Sequence, residues 1–356
     1  YWLHPAIGVF WKQNTAPMVN EPNGGTLTGL AARRFAGKPY TISEYNHPYP
    51  SFYGAEGQPM LHAYAAFQGW DGVFAYSWNN RINEEPDHME YFFSYAARTD
   101  CLAHFNACAA MFLRSDVQEA SDGITAEVPL KAFEDEWVKK PSRSGDVVNI
   151  IKDATGVTKG NMLENKTVVN PHAEKAVSLG LKETGPVKVS STRQIEWNNE
   201  DPDAGMFMVK APNVKVFSGF PKGRVADLGD GVTLNIGKTK LGWATVSLTS
   251  KEGNGFEKGS SSLLVATGFH RPTTIDELKG KLGDELFEEF KDKIVVHDAH
   301  DPSKNVKVGV LPSGPDCILD KVAVEASLLV AEGFIEPHFF AGYSGGRKSV
   351  LDRKST

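Results

Sequence analysis

The sequence predicts a multidomain chain that combines α/β segments with an antiparallel β-sandwich. Three observations predict this fold class. A strand, a helix and a second strand follow one another within residues 38–78, short runs of alternating apolar and polar residues fill residues 205–266, and strands alternate with helices again after residue 267. We therefore place three domains at residues 1–115, 116–266 and 267–356.

Composition excludes several protein classes. Of the 356 residues 41% are hydrophobic and 23% are charged, which is typical of globular domains and excludes collagen, coiled coils and wholly disordered chains. The net charge of −6 argues against a nucleic-acid partner, and the lack of a long apolar run predicts no membrane-spanning helix. Three cysteines (Cys101, Cys108, Cys317) are too few and too scattered for a disulfide framework or a zinc site.

The first domain contains a predicted βαβ unit. Residues 38–44 form a strand-like run that ends on Glu44, and residues 72–78 form the next strand. Between them, residues 60–67 have helical propensity, with Pro59 suited to the helix start. This order predicts two parallel strands.

The second domain is predicted to be a β-sandwich. Short β-rich runs separated by Gly, Pro, Asn and Asp occur at residues 205–209, 214–217, 232–236, 243–248 and 262–266. Residues 142–175 carry few strong signals and are interpreted as a linker or long excursion.

The third domain begins with a predicted capping box formed by Thr274 and Glu277. It opens a helix to about residue 291, with one apolar stripe at Leu278, Leu282, Leu286 and Phe290. Residues 294–296 then form a strand that leads into His297, residues 306–310 a further strand, and residues 322–329 a helix.

Glu44 is the first candidate for catalysis. It ends a strand in a βαβ context, and it lies among the aromatic residues Tyr40, Tyr45, Tyr49, Phe52, Tyr53 and Trp78. A carboxylate with aromatic walls suits sugar rings. The alternative is a strand-end Glu that caps a loop or pairs with a surface Lys or Arg.

The same segments resemble the last two barrel strands of a clan A glycoside hydrolase. They read Gly37-Lys-Pro-Tyr-Thr-Ile-Ser-Glu-Tyr-Asn-His-Pro48 and Phe74-Ala-Tyr-Ser-Trp78. The resemblance implies a partial (β/α) barrel, an accessory sandwich, a carbohydrate substrate and a retaining mechanism with Glu44 as nucleophile and no cofactor. The substrate contacts that it implies are Trp2, His4, Tyr45, Asn46, His47 and Trp78.

The hydrolase pattern is incomplete before Glu44. Too few residues precede Glu44 to supply the first five strands of a barrel, and the family's acid/base residue ends the fourth. Asn20-Glu21-Pro22 imitates the acid/base tripeptide, yet only one βα unit would separate Glu21 from Glu44. We therefore expect Glu21 to be a loop residue and this domain to be a hydrolase fragment.

Three later segments carry histidines, glycines and cations. They are Thr267-Gly-Phe-His-Arg-Pro-Thr-Thr274, His297-Asp-Ala-His-Asp301, and a run that ends in Glu336-Pro-His-Phe-Phe-Ala-Gly-Tyr-Ser-Gly-Gly-Arg-Lys348. Histidines beside carboxylates suit proton transfer, and glycines before cations suit the approach of an anion. Structural histidines and a tight glycine turn are the alternatives.

In this order the segments resemble the N-terminal domain of nickel-pincer lactate racemases, from about residue 266 to 351. The resemblance implies a small 2-hydroxy acid substrate, whose carboxylate Arg271 binds and whose hydroxyl proton His297 and His338 exchange, with His300 as the alternative to His297. It also implies a nickel pincer nucleotide attached to Lys348, beside Gly345 and Gly346. No metal ligand is assigned, because the family's further nickel-binding His does not follow residue 351.

Three functions therefore stay open. The main reading is a retaining glycoside hydrolase fragment, the second is a racemase-like domain, and the third is a catalytically inactive chimeric or fragmentary product that joins the two near residue 266. The localisation is not predicted, because a hydrolase parent suggests secretion and a racemase parent the cytoplasm.

Overall fold

The chain forms two compact units, Tyr1–Gly255 (unit 1) and Phe256–Thr356 (unit 2). The structure is a computed structural model that describes residues 16–79, 91–139, 147–251, 253–256, 263–265, 271–311, 314–326, 336–338 and 342–344. None of the described helices has the length and apolar content needed to cross a membrane.

Unit 1 begins with the predicted βαβ unit. A 3-10 turn at Met18–Asn20 and helix α1 (Gly25–Ala31) precede β1 (Thr41–Tyr45), α2 (Gly57–Gln68) and β2 (Gly72–Ala75). β1 and β2 pair in parallel, which confirms the prediction, and the two strands form a sheet of their own. No closed barrel is present among the described residues. α2 ends at Gly69, whose φ of +64° is the left-handed conformation that glycine adopts without a Cβ clash.

A second α/β segment follows, and from residue 116 onward it occupies the region where the sequence predicts the sandwich. Its elements are α3 (Thr99–Leu102), α4 (Phe105–Phe112), β3 (Gly123–Glu127), α5 (Leu130–Lys139), α6 (Val147–Thr155), α7 (Lys159–Glu164) and β4 (Lys166–Asn170). β3 and β4 pair in parallel. The interpretation of residues 142–175 as a linker is wrong, because Ile151, Met162 and Val169 are fully buried in the core of unit 1.

Five antiparallel strands form the main sheet of unit 1. They are β5 (Val187–Val189), β6 (Ile195–Asn198), β7 (Met206–Ala211), β8 (Val214–Gly219) and β11 (Ala244–Thr249), in the order β11-β8-β7-β6-β5. A hairpin of β9 (Val225–Asp227) and β10 (Thr233–Asn235) interrupts them in sequence. Alternate residues of β7 face opposite sides: Phe207 and Val209 join the main core, whereas Met206 and Met208 pack with the hairpin.

The main hydrophobic core of unit 1 joins its helices to its five-stranded sheet. Tyr64 of α2 packs its ring against Trp197 of β6 and Phe207 of β7, at centroid distances of 6.2 and 6.1 Å. Trp197 Nε1 also donates to Val19 O at 2.7 Å. The sequence predicts a domain boundary near residue 115, whereas the packing of unit 1 is continuous across that position.

Unit 2 contains short strands and one long helix. Its elements are β12 (Leu263–Val265), α8 (Ile275–Phe290), β13 (Ile294–Val296), β14 (Asn305–Val310), β15 (Asp316–Asp320), α9 (Lys321–Glu325), β16 (Glu336–His338) and β17 (Gly342–Ser344). β12 and β13 are parallel, whereas β14–β15 and β16–β17 are antiparallel pairs.

Helix α8 begins as the sequence predicts and then departs from the predicted stripe. Thr274 and Glu277 form the reciprocal capping box. Gly283, with φ +77° and ψ 162°, interrupts the helical backbone, and the phase of the buried face changes there. As a result Phe287 is buried after the break, and Leu286 is exposed.

Candidate functional site

His297 lies at the end of the parallel pair in unit 2. It extends the ladder of β12 and β13 by donating its N–H to Val265 O at 3.0 Å. Its side chain is buried, and its Nδ1 lies 2.8 Å from Oδ2 of Asp320. Because an ionised carboxylate only accepts hydrogen bonds, this contact holds the proton on Nδ1 and the imidazole lone pair on Nε2.

Asp320 has two functions in the fold. It is the last residue of β15 and the N-cap of α9, where its Oδ1 accepts the N–H of Val322 at 2.9 Å. The same carboxylate therefore caps a helix and orients His297. The sequence carries the cap signal, an Asp before a helical run, but it does not show that Asp320 meets a histidine 23 positions earlier in the chain.

His297 and His300 are the two candidates for the first proton-transfer position, and they differ in burial and in hydrogen-bond partners. His300 is exposed in the turn after β13, where it donates its N–H to Asp298 Oδ1 at 2.9 Å. Asn305 holds this turn, since its Nδ2 donates to Asp298 O and Asp301 O. Of the two histidines, His297 is the one that is buried beside a carboxylate.

Arg271 forms a salt bridge with Glu277. Its guanidinium donates two hydrogen bonds to Glu277, with Nη1–Oε2 and Nη2–Oε1 distances of 3.0 and 2.6 Å, and both side chains are exposed. The hydrogen bond from Arg271 and those from Thr274 lower the pKa of Glu277 to about 2. A substrate carboxylate at Arg271 would therefore compete with Glu277 for the same donors.

The remaining racemase candidates are described in part or not at all. His338 lies on β16 opposite Gly342 of β17, and only its backbone is described. Lys348, Gly345 and Gly346 lie outside the described residues.

In unit 1 the predicted nucleophile is exposed. The ladder of β1 shifts register between Ile42 and Tyr45, so that the burial pattern changes phase before Glu44. Ile42 and Tyr45 are buried as a result, and Glu44 is exposed. Trp78 is exposed as well, at 55% of its surface. Trp2 and His4 lie outside the described residues.

The residues after Glu44 form a buried hydrogen-bond network. Tyr45 Oη lies 3.1 Å from His47 Nε2. Asn46 Nδ2 donates to Tyr76 O and Phe93 O at 2.5 and 2.6 Å. Arg98 Nη1 donates to His47 O at 2.5 Å. These contacts tie the end of β1 to later segments of unit 1.

Sequence reasoning missed the buried carboxyl group of unit 1, which belongs to Glu56. Glu56 is fully buried, and its oxygens accept the N–H groups of Met18 and Val19 at 2.5 and 3.2 Å. His47 Nδ1 lies 3.9 Å away. Burial raises the pKa of Glu56 to about 8, and burial lowers the pKa of His47 well below its ordinary value. The sequence around Glu56, a loop before a helix, gives no sign of this burial.

The described residues do not supply a metal site by themselves. Among them there is no group of three His, Cys, Asp or Glu side chains that could hold a metal ion. His297 is oriented by Asp320, a geometry that suits proton exchange. The described residues therefore hold no ligand set for nickel, and a nucleotide site rests on the chemistry of the glycine and lysine run alone.

The C-terminal part of the chain is similar in sequence to known proteins. Residues 248–352 match the family model for the lactate racemase N-terminal domain. The matched segment begins within β11 of unit 1 and covers most of unit 2. The racemase resemblance predicted from residue 266 onward is therefore confirmed. The hydrolase resemblance of residues 1–266 stays a prediction.

Two lactate racemases are close relatives of this segment. The chain is 61% identical over 89 residues to lactate racemase from Lactiplantibacillus plantarum, and 57% identical over 89 residues to that from Thermoanaerobacterium thermosaccharolyticum. Each alignment covers 25% of this chain and 20% of the relative, so the chain spans about a fifth of the length of these lactate racemases.

The apoprotein structure of lactate racemase from Thermoanaerobacterium thermosaccharolyticum is also similar in sequence. It is 51% identical, and the match covers 26% of this chain and 23% of that protein, with a TM-score of 0.25.

Proposed function

We propose that residues 248–352 form a lactate-racemase-type module that acts on a small 2-hydroxy acid. The identity of 61% over 89 residues to a lactate racemase carries this proposal. In this module Arg271 binds the substrate carboxylate, and His297 and His338 exchange the hydroxyl proton. Lys348, beside Gly345 and Gly346, attaches the pincer nucleotide.

The contact between His297 and Asp320 supports the proton-transfer role. Asp320 keeps the proton on Nδ1, so Nε2 is the atom that accepts the substrate hydroxyl proton. The negative charge of Asp320 would stabilise the imidazolium that forms. Because Asp320 is itself held by Val322 N–H, the imidazole plane is fixed before substrate binds.

Arg271 contributes recognition of the carboxylate. A guanidinium has five donors in a planar fork, and Glu277 uses two of them. The 2-hydroxy acid would replace Glu277 or share the guanidinium with it. No proton or hydride step is assigned to nickel, because the described residues give that metal no ligand set.

Attachment of the nucleotide is tested by intact-protein mass spectrometry after co-expression with the proteins that synthesise the pincer nucleotide. We expect a mass increase that maps to Lys348 and is absent in Lys348→Arg. Lactate racemase from Lactiplantibacillus plantarum, expressed in the same way, controls for cofactor supply. An unmodified chain beside a modified control would contradict the attachment.

The proton-transfer assignment is tested by interconversion of the lactate enantiomers, followed by chiral chromatography. We expect His297→Asn to lower the rate by about 100-fold or more, because a positioned acid–base group contributes on that order. His300→Asn should keep the rate. His270→Asn is the informative third variant, since His270 precedes Arg271 in the matched segment. A loss with His270→Asn and none with His297→Asn would move the role to His270.

A further inference from the structure

Unit 1 contains a cavity that the proposed function does not use. It has a volume of about 240 Å³ and lies between α2, β2 and α4. Phe105 and Phe112 of α4 and Val73 of β2 supply apolar walls, and Gln58 and His62 of α2 supply polar groups. The residues that line it, all of them described, include no Asp, Glu, Lys or Arg.

Gln58 is a buried polar residue at the wall of this cavity. Its Nε2 donates to Tyr45 O at 3.2 Å and to Tyr95 Oη at 2.6 Å. Because Tyr45 O is a carbonyl and can only accept, the orientation of the Gln58 amide is determined. Its Oε1 has no hydrogen-bond partner among the described residues, although only 2% of the Gln58 surface is exposed. This oxygen is enclosed by protein, so a ligand in the cavity does not reach it.

His62 brings a hydrogen-bond acceptor to this cavity. Its Nδ1 lies 2.8 Å from Gln58 O, a carbonyl that can only accept, so Nδ1 carries the hydrogen. Burial lowers the pKa of His62, which keeps the imidazole neutral at pH 7. The lone pair of a neutral imidazole with a protonated Nδ1 is on Nε2.

We propose that this cavity binds a neutral monocyclic alcohol or phenol, whose hydroxyl donates to His62 Nε2 while its ring packs against Phe105 and Phe112. One acceptor and no charged group in the lining select a neutral ligand with a donor. The size agrees, because a cavity of about 150 Å³ holds benzene and drug-sized ligands need about 300 Å³ or more. This site lies within unit 1, so the proposal is independent of the racemase-type module.

Phenol and toluene are the test pair, because they have nearly the same shape and differ in one hydroxyl. Binding to the full chain is followed by methyl chemical shifts of Val73 and Ala75, which line the cavity. We expect phenol to bind about threefold to tenfold more tightly than toluene, the gain of one net hydrogen bond. Equal affinities, or no shift with either probe at millimolar concentration, would overturn the proposal.

Two variants of α4 locate the binding. Ala109 is exposed and also lines the cavity, so it stands at the entrance, whereas Asn106 is exposed on the same helix away from it. Ala109→Trp should abolish phenol binding, and Asn106→Trp should leave it unchanged. Unchanged binding in Ala109→Trp would place phenol elsewhere and refute the site.

A third variant tests the acceptor. His62→Phe keeps a ring on α2 but removes Nε2, so phenol affinity should fall toward that of toluene while toluene binding persists. Loss of both ligands together would show that His62 supports the cavity only structurally and would overturn its role as an acceptor. The alternative occupant is a second copy of the chain. A concentration-dependent dimer in light scattering that Ala109→Trp abolishes would replace the small-molecule proposal.

Discussion

At the scale of single residues, the burial of two glutamates of unit 1 is the reverse of what the sequence suggests. Glu44 ends a strand among aromatic residues, which predicts a buried carboxylate, yet it is exposed. Glu56 ends a 3-10 turn (Gly54–Glu56) directly before α2 and is fully buried. The register shift in β1 moves Glu44 outward, and the turn at Met18–Asn20 provides two N–H groups that receive Glu56.

Glu56 should make the stability of unit 1 depend on pH. Its pKa is raised from the ordinary 4.5 to about 8, so between these values the folded state holds a proton that the unfolded state has released. The free energy of unfolding therefore falls as pH rises through this window, by at most about 1.4 kcal/mol per pH unit. Urea unfolding from pH 5 to pH 8 should show Glu56→Gln gaining stability relative to the wild type as pH rises.

His47 makes the free energy of unfolding depend on pH in the opposite direction. The comparison must therefore separate the contribution of Glu56 from that of His47. Burial lowers the pKa of His47, so its contribution is lost as pH falls below about 6.5, in both proteins. The difference between Glu56→Gln and the wild type removes this common part. Glu174→Gln, at an exposed position, is the matched control. A constant difference between Glu56→Gln and the wild type from pH 5 to pH 8 would contradict the raised pKa.

At the scale of elements, the start of α8 depends on residues that are close together in the sequence. Thr274 Oγ1 accepts the N–H of Glu277, and Glu277 Oε2 accepts the N–H of Thr274. Such a box involves residues three positions apart, so it is visible in the sequence. The break at Gly283 is not visible in the same way, because a helix tolerates an isolated glycine at modest cost.

The capping box gives a prediction for the stability of unit 2. Thr274→Ala should lower the free energy of unfolding by about 1 kcal/mol, because the N–H of Glu277 loses its acceptor. Chemical denaturation followed by far-ultraviolet circular dichroism measures the change. Thr273→Ala, one residue earlier and outside the box, is the control, and an equal loss in both variants would refute the capping effect.

At the scale of the whole molecule, the two units have cores of different size. Unit 1 buries a large set of fully enclosed side chains, including Phe67, Phe133 and Trp197. In the described part of unit 2 the buried apolar side chains are Leu278, Phe287, Ala299 and Ala323. A small core buries less apolar surface per residue, so unit 2 should be the less stable unit.

This difference predicts that two probes of unfolding will not coincide. All seven tryptophans precede residue 256, so tryptophan fluorescence reports on unit 1. Circular dichroism reports on both units. We expect the dichroism signal to change at lower urea concentration than the fluorescence, and Thr274→Ala to shift only that early part. Coincident transitions would mean that the units unfold together.

The sequence by itself determined the features that depend on near neighbours. The βαβ unit at Thr41–Ala75, the start of α8 and the strand that leads into His297 follow from periodicity and capping, which act within a few residues. The likeness of residues 248–352 to the lactate racemase N-terminal domain is also recognised from the sequence alone.

Only the tertiary structure decided which polar groups are buried and what they meet. Asp320 meets His297 across 23 positions, and Glu56 meets Met18 across 38. Val19 O and Trp197 Nε1 meet across 178 positions within the main core of unit 1. Burial and pairing depend on such distant contacts, and each contact depends on the register and packing of other elements. Local patterns in the sequence therefore identified the strand that carries Glu44, but they did not reveal that Glu56 is the carboxyl group that the fold encloses.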